Sequence, residues 1–306
     1  MTLPHHWNNW RLPRAVKLHR FLYAVCCLLL AAGLTAAPRV TETTAMVHCV
    51  DIDSTIELSA LSVNKQTSFI NLNQATDLLR IQIIVPDELP LIVLATSAHC
   101  VPIFLEDENS YLDYNGVPYV RTDSVASAVG CEFHPAKRSG GRLVCRNFHS
   151  LDSIGTEIGD KAPGFCLPNT DGSMIRSLDL LKQGNLVVAF IRSADWEPLS
   201  RDLLLRLNSN RENFQEAGAQ IAVIHGYAPD VAAKWRDSLK VELPLLSDDV
   251  SAVMRAYGIH QMAQLPNSSV FVLDSEGVIR YKHVYGDEWD PPEMVPILEA
   301  VRALRE

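Results

Sequence analysis

Residues 186–200 read Leu-Val-Val-Ala-Phe-Ile-Arg-Ser-Ala-Asp-Trp-Glu-Pro-Leu-Ser, and this stretch decides the fold of the second half of the chain. The apolar run at 186–191 is typical of a β-strand. Pro198 suits the first turn of a helix, because the N–H that proline lacks is one that a helix start leaves without a partner. The stretch therefore predicts a strand that turns directly into a helix.

The pattern on both sides of this stretch alternates strands and helices. After the strand at 186–191, the sequence predicts a helix at 198–217, a strand at 220–224, helices at 229–239 and about 249–257, a hairpin at 269–285 and a last helix at about 291–304. This alternation, closed by a hairpin and a helix, predicts an α/β fold.

Five sequence blocks in this region resemble the peroxiredoxin branch of the thioredoxin superfamily, the alkyl hydroperoxide reductase and thiol-specific antioxidant group. They follow the order of that family and together extend the resemblance over residues 158–304. It implies an α/β thioredoxin-like fold. The blocks are 158–172 (IGDKAPGFCLPNTDG), 186–196 (LVVAFIRSADW), 243–248 (LPLLSD), 255–258 (RAYG) and 269–281 (SVFVLDSEGVIRY).

The sequence departs from this family at the positions that carry its chemistry. The resemblance implies a reactive cysteine in the first turn of the helix, where unpaired N–H groups and the helix dipole lower the pKa of a thiol. Glu197 stands at that position and Ser200 stands at the second cysteine position. A carboxylate cannot attack a peroxide oxygen or form a disulfide. We therefore expect no intact catalytic residue, and a binding or interaction role for the cleft around Asp195 and Trp196.

A second function is an active thiol-dependent antioxidant oxidoreductase that uses another cysteine. Cys166 is the only thiol of the predicted second domain, residues 158–306, and falls in its opening strand. A free cysteine in such a place is more often buried and inert than nucleophilic. The histidines show no metal-ligand spacing, so the sequence predicts neither a metal nor a cofactor.

The first 37 residues predict export. They contain four basic residues and no acid, and residues 21–37 (FLYAVCCLLLAAGLTAA) form an apolar run of 17. This is the pattern of a signal peptide or of an N-terminal membrane anchor. Small residues precede Pro38 but that proline disfavours cleavage, so both forms stay open. We expect an extracytoplasmic protein, in the periplasm or cell envelope, with a protein or cell-envelope partner.

Charge excludes one class of partner. Beyond residue 37 the chain carries 23 basic against 36 acidic residues, a net charge of −13. Nucleic-acid binding needs basic patches that neutralise phosphates, so we do not expect it. Peroxiredoxins commonly pair, and the resemblance therefore also implies a homodimer as one possible state.

Export would place the cysteines in an oxidising compartment, where disulfides form. Cys131 and Cys145 lie symmetrically about Arg138, so a hairpin between them would bring their side chains face to face. We predict a disulfide there. Cys49 and Cys100, each within a His-Cys-Val triplet, are a weaker candidate pair. Separate buried thiols are the alternative for all of these cysteines.

Residues 47–148 predict a β-rich α+β domain. The region from 47 to about 105 is mostly extended, Asn115-Gly116 is a strong hairpin signal, and Thr122 is suited to cap a helix at 123–129. Residues 111–146 resemble the small copper-amine-oxidase N-terminal-like domain of exported bacterial proteins. The resemblance implies a non-catalytic wall-side or ligand-contact module and no copper; an unrelated β-α-β-β unit is the alternative.

Overall fold

The computed structural model describes residues 38–86, 89–136, 139–146, 153–260, 266–285 and 293–305. The predicted signal peptide or anchor at 1–37 lies outside the described residues. Among the helices that are described, none combines the length and the apolar character needed to cross a membrane.

The first module, up to residue 146, is built on a seven-stranded sheet of order β7-β8-β3-β2-β1-β10-β9. A separate three-stranded sheet has the order β4-β5-β6. The elements are β1 Val40–Cys49, β2 Ser54–Val63, β3 Thr67–Asn71, α1 Leu72–Leu79, β4 Gln82–Ile84, β5 Leu91–Ala95, β6 Cys100–Phe104, β7 Tyr111–Tyr114, β8 Val117–Arg121, α2 Thr122–Ala128, β9 Glu132–His134 and β10 Arg142–Cys145.

The hairpin at Asn115-Gly116 is confirmed, because both residues have the positive φ angles, 56° and 79°, that a tight primed turn needs. The region from 47 to about 105 is mostly extended, as predicted, although helix α1 interrupts it. The Asn71 side chain caps α1 by accepting a hydrogen bond from the N–H of Gln74 at 3.1 Å. One expectation for this module was wrong. Thr122 is not a cap: it is the first residue of α2, and its hydroxyl lies 2.6 Å from that of Ser68.

The second module contains a five-stranded sheet of order β15-β14-β13-β16-β17, with a small hairpin, β11-β12, before it. Strand β13 is at the centre, parallel to β14 and antiparallel to β16. The elements are β11 Cys166–Pro168, β12 Met174–Arg176, α3 Ser177–Leu181, β13 Asn185–Ile191, α4 Pro198–Ser209, α5 Arg211–Glu216, β14 Ala219–His225, α6 Pro229–Leu239, β15 Leu245–Ser247, α7 Ala252–Ala256, β16 Ser269–Leu273, β17 Ile279–Val284 and α8 Met294–Arg302.

The predicted strand-turn-helix at 186–200 is therefore present as β13 and α4, and the fold is the thioredoxin-like α/β fold that the sequence predicted. One predicted helix is divided. The region 198–217 forms α4 and α5, separated at Asn210, whose side-chain amide donates to the carbonyl of Arg206 at 2.9 Å. An asparagine side chain that bonds the backbone in this way competes with the helical hydrogen-bond ladder.

Both faces of the central sheet are covered. Val187, Ala189 and Ile191 of β13 pack into one apolar cluster with α4, α5, α6 and α8. Leu186, Val188 and Phe190 point into a second cluster, which contains α7. Full burial on both faces is what makes the β13 sequence continuously apolar rather than alternating.

The second of these clusters also contains residues of the first module. Leu91, Val93 and Ala95 of β5 are buried there beside Phe165 and Phe190. The backbone also meets at this point, since the N–H of Gly164 donates to the carbonyl of Thr96 at 2.9 Å. Residues 38–306 thus form one compact unit in which the three-stranded sheet closes one face of the thioredoxin-like sheet.

Candidate functional site

The site that the sequence indicated lies where β13 ends and α4 begins. Strand β13 ends at Ile191 and α4 starts at Pro198, so residues 192–197 form the turn at the carboxyl end of the central strand. In open α/β sheets this edge is the usual place for a ligand or a reactive group. The first N–H groups of α4 point toward the turn without partners within the helix.

Glu197 occupies the position predicted for the first cysteine and is the N-cap of α4. Its two carboxylate oxygens accept hydrogen bonds from the backbone N–H groups of Leu199, at 3.1 Å, and Ser200, at 2.6 Å. A carboxylate at a helix N-terminus is stabilised by these bonds and by the helix dipole. Glu197 therefore takes up the same donors that would otherwise stabilise a thiolate.

Ser200, at the second cysteine position, is fully buried. Its hydroxyl oxygen accepts the backbone N–H of Arg192 at 2.9 Å and lies 3.0 Å from the hydroxyl oxygen of Ser268. These contacts join the end of β13, the first turn of α4 and the entry to β16. Ser200 therefore has a structural role: its hydroxyl group links the segments that form the turn.

Arg192 is a site residue that the sequence reasoning missed. Its Nε donates to the carbonyl oxygen of Pro266 at 2.8 Å, and Nη2 donates to the side-chain oxygen of Asn267 at 3.1 Å. The guanidinium therefore joins the end of β13 to the segment that leads into β16. The position of Arg192 directly after the apolar strand is the sequence signal that could have identified it. Its partners could not be predicted, because they are 74 and 75 residues away in the sequence.

Asp195 and Trp196, the residue pair for which the sequence predicted a cleft, lie on the exposed side of the turn. Asp195 is exposed, and the Trp196 side chain is 54% exposed. The indole N–H of Trp196 donates to the hydroxyl of Tyr227 at 2.9 Å. The Tyr227 ring packs edge-on against Trp235 at 5.3 Å. The result is an exposed indole that is held in place by the half-buried Tyr227, which packs on the buried Trp235.

His225 lies beneath this aromatic pair. It is fully buried, and its ring is 5.3 Å from that of Trp235. Nδ1 accepts the N–H of Tyr227 at 3.2 Å, which assigns the proton to Nε2. Burial lowers the pKa of His225 to about 4, so the ring is neutral at pH 7. His225 supports the turn after β14 and carries no charge to the site.

The cysteines divide into one disulfide and three thiols among the described residues. Cys131 and Cys145 form a disulfide with a Cα–Cα distance of 4.5 Å, as predicted. The predicted Cys49–Cys100 pair is wrong, because both are free and buried. Cys49 faces the core of the first module, whereas Cys100 lies in the cluster that covers the thioredoxin-like sheet. Cys166 begins β11 and is half-buried.

A cavity of about 540 Å³ lies away from the α4 turn, between the two modules. None of the residues of the turn lines it. Its walls come from the first module, including Cys145 and Arg146, and from the second, including Lys161 and Lys182. Within the described ranges, no group of three or more His, Cys, Asp or Glu side chains is arranged to hold a metal ion.

Comparison with known proteins places the second module among peroxiredoxins. The AhpC/TSA family profile matches residues 158–282. A Mycobacterium tuberculosis (strain H37Rv) protein that carries a peroxiredoxin name is 30% identical over 128 residues, which are 40% of this chain and 80% of that protein. Peroxiredoxin Q, chloroplastic, of Suaeda salsa is 29% identical over 139 residues, 45% of this chain and 63% of that protein.

Solved structures include the crystal structure of the peroxidoxin BcpB from Mycobacterium tuberculosis. It superposes with a TM-score of 0.46 at 23% identity and covers 50% of this chain and all of that chain. The E. coli K12 peroxiredoxin Bcp is 24% identical over 138 residues, 43% of this chain and 86% of that protein.

Proposed function

We propose that this chain, which belongs to the AhpC/TSA family of peroxiredoxins, has lost peroxidase chemistry at its α4 turn and acts as an interaction module. The observation that carries the proposal is the capping of α4 by Glu197. Its carboxylate holds the N–H groups of Leu199 and Ser200, so a negative charge fills the place of the reactive thiolate. A carboxylate offers no sulfur to be oxidised and regenerated.

The surface that we propose for the interaction is the exposed part of the turn, Asp195 and Trp196. Tryptophan is enriched where proteins bind one another, because a large rigid ring contributes contact area at a small cost in conformational entropy. Trp196 is 54% exposed, and its hydrogen bond to Tyr227 fixes the ring before a partner arrives. A ring fixed in advance lowers the entropic cost of binding.

The proposal places the protein outside the cytoplasm. The basic, then apolar, N-terminal sequence supports export as a secreted or anchored protein. The Cys131–Cys145 disulfide supports the same compartment, since such bonds persist in oxidising environments. The partner would then be a protein or another component of the cell envelope.

Site-specific photocrosslinking tests the interaction in the full chain expressed in its host. A photoreactive amino acid at Trp196 is expected to give a discrete crosslinked species, and the same amino acid at Val295, which is 62% exposed on α8, serves as the matched control. The proposal requires crosslinking at 196, no such species at 295, and its loss when Asp195 is changed to Lys. Equal products at both sites, or none at 196, would contradict it.

A second candidate function is a thiol oxidoreductase that uses Cys166, and it is favoured by one observation: the side chain is half-buried rather than fully enclosed. Such an enzyme needs a thiolate at neutral pH. Alkylation of the folded chain at pH 7, mapped by mass spectrometry, distinguishes the two functions. Rapid labelling of Cys166 that peroxide prevents would support the enzyme, and an unreactive Cys166 would exclude it.

A homodimer is compatible with either function. Light scattering of the purified chain over a range of concentrations tests it: a mass of twice 34.0 kDa would support pairing. A mass of 34.0 kDa at the highest concentration would exclude it.

A further inference from the structure

Three cysteines lie in a row across three adjacent strands of the first module. Cys49 ends β1, Cys145 ends β10 and Cys131 directly precedes β9. The parallel register of β1 and β10 pairs Cys49 with Cys145. The antiparallel register of β10 and β9, which pairs Val144 with Glu132, places Cys145 opposite Cys131. Cys145 therefore has one cysteine on each side.

All three side chains face the same core. Cys49 and Cys145 are buried, and both belong to the cluster against which Cys131 packs. The residues two positions earlier on the same strands, Val47 and Leu143, are in register and belong to this cluster too. Paired residues of adjacent strands point to the same face of a sheet. The Cys49 thiol is therefore on the side of the sheet that carries the disulfide.

The backbone suits either pairing of Cys145. A disulfide needs a Cα–Cα distance of about 4.4–6.8 Å. The observed pair, Cys131 and Cys145, is at 4.5 Å. Adjacent strands lie about 4.7–4.9 Å apart, so the in-register Cys49 and Cys145 also fall within this range. Neither pairing requires a change of strand register.

We propose that Cys145 exchanges its disulfide partner between Cys131 and Cys49, which makes the first module a thiol–disulfide switch. The Cys49 sulfur, after losing its proton, attacks Sγ of Cys145. The bond between Sγ of Cys145 and Sγ of Cys131 breaks as the new one forms, and Cys131 leaves as a thiolate that takes up a proton. One thiol and one disulfide remain, so the step needs no external oxidant or reductant.

The row also provides the alignment that the exchange needs. In thiol–disulfide exchange the attacking sulfur and the leaving sulfur lie on opposite sides of the central sulfur. Cys49 and Cys131 are on opposite sides of Cys145 because β1 and β9 flank β10. Strand order thus places the three sulfurs in the sequence that the exchange needs.

The two states differ in where the free thiol lies. In the observed state it is Cys49, which is fully buried, and burial, with Asp51 as a lesser cause, raises the pKa of this thiol. In the second state it is Cys131, which is only partly buried. The switch therefore moves the free thiol from a fully buried position to a partly exposed one, where it can form a mixed disulfide with a disulfide-bearing small molecule or protein. This inference does not depend on the proposed function of the α4 turn.

The test is a trapping experiment on the oxidised full chain. The protein is incubated with N-ethylmaleimide at pH 8, digested without reduction and mapped by mass spectrometry over time. We expect labelled Cys131 to accumulate together with peptides joined by a Cys49–Cys145 disulfide. Cys49→Ala is expected to slow the labelling of Cys131 at least tenfold. Cys100→Ala, which removes a buried thiol outside the row, is expected to leave the rate unchanged.

Equal labelling of Cys131 in the unaltered chain and in Cys49→Ala, or the absence of Cys49–Cys145 peptides, would overturn the proposal. A second variant, Cys131→Ser, tests the geometry directly. Treated with the thiol oxidant diamide, it is expected to form the Cys49–Cys145 disulfide. If it keeps a native circular dichroism spectrum but both thiols stay free, the proposal fails. If this variant does not fold, the Cys49→Ala comparison decides.

Discussion

At the turn between β13 and α4, the carboxylate of Glu197 accepts hydrogen bonds from the N–H groups of Leu199 and Ser200. A helix N-terminus stabilises any negative group, whether thiolate or carboxylate. The same backbone N–H groups can therefore hold the Glu197 carboxylate without any change of fold. The loss of peroxidase chemistry that we propose for this turn is thus compatible with retention of the fold.

The capping role of Glu197 makes a prediction about stability. Glu197→Ala removes both acceptors at the start of α4 and is expected to lower the free energy of unfolding by about 1 kcal/mol. Denaturant unfolding measures the change. Glu212→Ala, an exposed acid in the first turn of α5, is the matched control and should leave the midpoint almost unchanged. An unchanged midpoint for Glu197→Ala would show that the cap does not stabilise the helix.

His225 makes a prediction about pH. Its pKa is about 4 in the folded protein and about 6.5 when unfolded, so between these values the unfolded state binds more protons. Its contribution to stability is present above pH 6.5 and is lost as the pH falls toward 4, by up to about 3 kcal/mol. His225→Asn should therefore cost more stability at pH 7 than at pH 4.5. A cost independent of pH would contradict the lowered pKa.

The titration of Asp248 changes the stability of the fold in the opposite direction to that of His225, over a similar range of pH. Burial raises its pKa to about 6, although its carboxylate accepts the N–H groups of Ala252 and Met254. The folded state then binds more protons than the unfolded state between about pH 4 and 6, so this group favours folding as the pH falls. The histidine variant must for this reason be compared with the unaltered chain at each pH.

At the scale of secondary-structure elements, sequence patterns predicted the strands, helices and turns that depend on residues close together in the chain. The apolar run of β13 and the proline of α4 were sufficient to place the strand, the helix and the turn between them. The break between α4 and α5 at Asn210 was not predicted. It depends on whether the Asn210 side chain forms its hydrogen bond with the carbonyl of Arg206 or with solvent. Helix α1 was missed because only eight residues carry its pattern.

The partners within the site could not be predicted for a similar reason. Contacts of Arg192 with residues 266 and 267, and of Ser200 with Ser268, join segments far apart in sequence. They exist because β16 lies beside β13 in the sheet. The disulfide was predictable because symmetry about one hairpin brings Cys131 and Cys145 together.

The β9–β10 hairpin makes a prediction about its disulfide. The two cysteines are 14 residues apart, and closing a loop of this length stabilises a protein by about 3 kcal/mol through the entropy of the unfolded chain. The double variant Cys131→Ala, Cys145→Ala is expected to lose about this much in denaturant unfolding. Cys166→Ala, which removes a free thiol, is the control. A loss no larger than that of the control would contradict the expectation.

At the scale of the whole molecule, the first module helps to close the core of the second. Leu91 of β5 is 2% exposed and lies in the cluster that covers β13. Leu91→Ala is expected to cost about 2–5 kcal/mol and to lower the unfolding midpoint reported by Trp235, which is buried in the other module. Leu78→Ala, at a leucine that is 45% exposed, should change neither. If the unfolding midpoint reported by Trp235 is the same in Leu91→Ala as in the unaltered chain, the two modules unfold independently.

In the proposed function, the family fold persists in this chain without peroxidase chemistry. The most direct test is the consumption of hydrogen peroxide by the purified full chain with a thiol reductant, beside the variant Glu197→Cys, Ser200→Cys. We predict that the unaltered chain consumes peroxide no faster than the reductant alone. Activity in the double variant would show in addition that those two positions suffice to restore the reaction. Peroxide consumption by the unaltered chain that depends on thiol and is abolished by Cys166→Ser would contradict the claim.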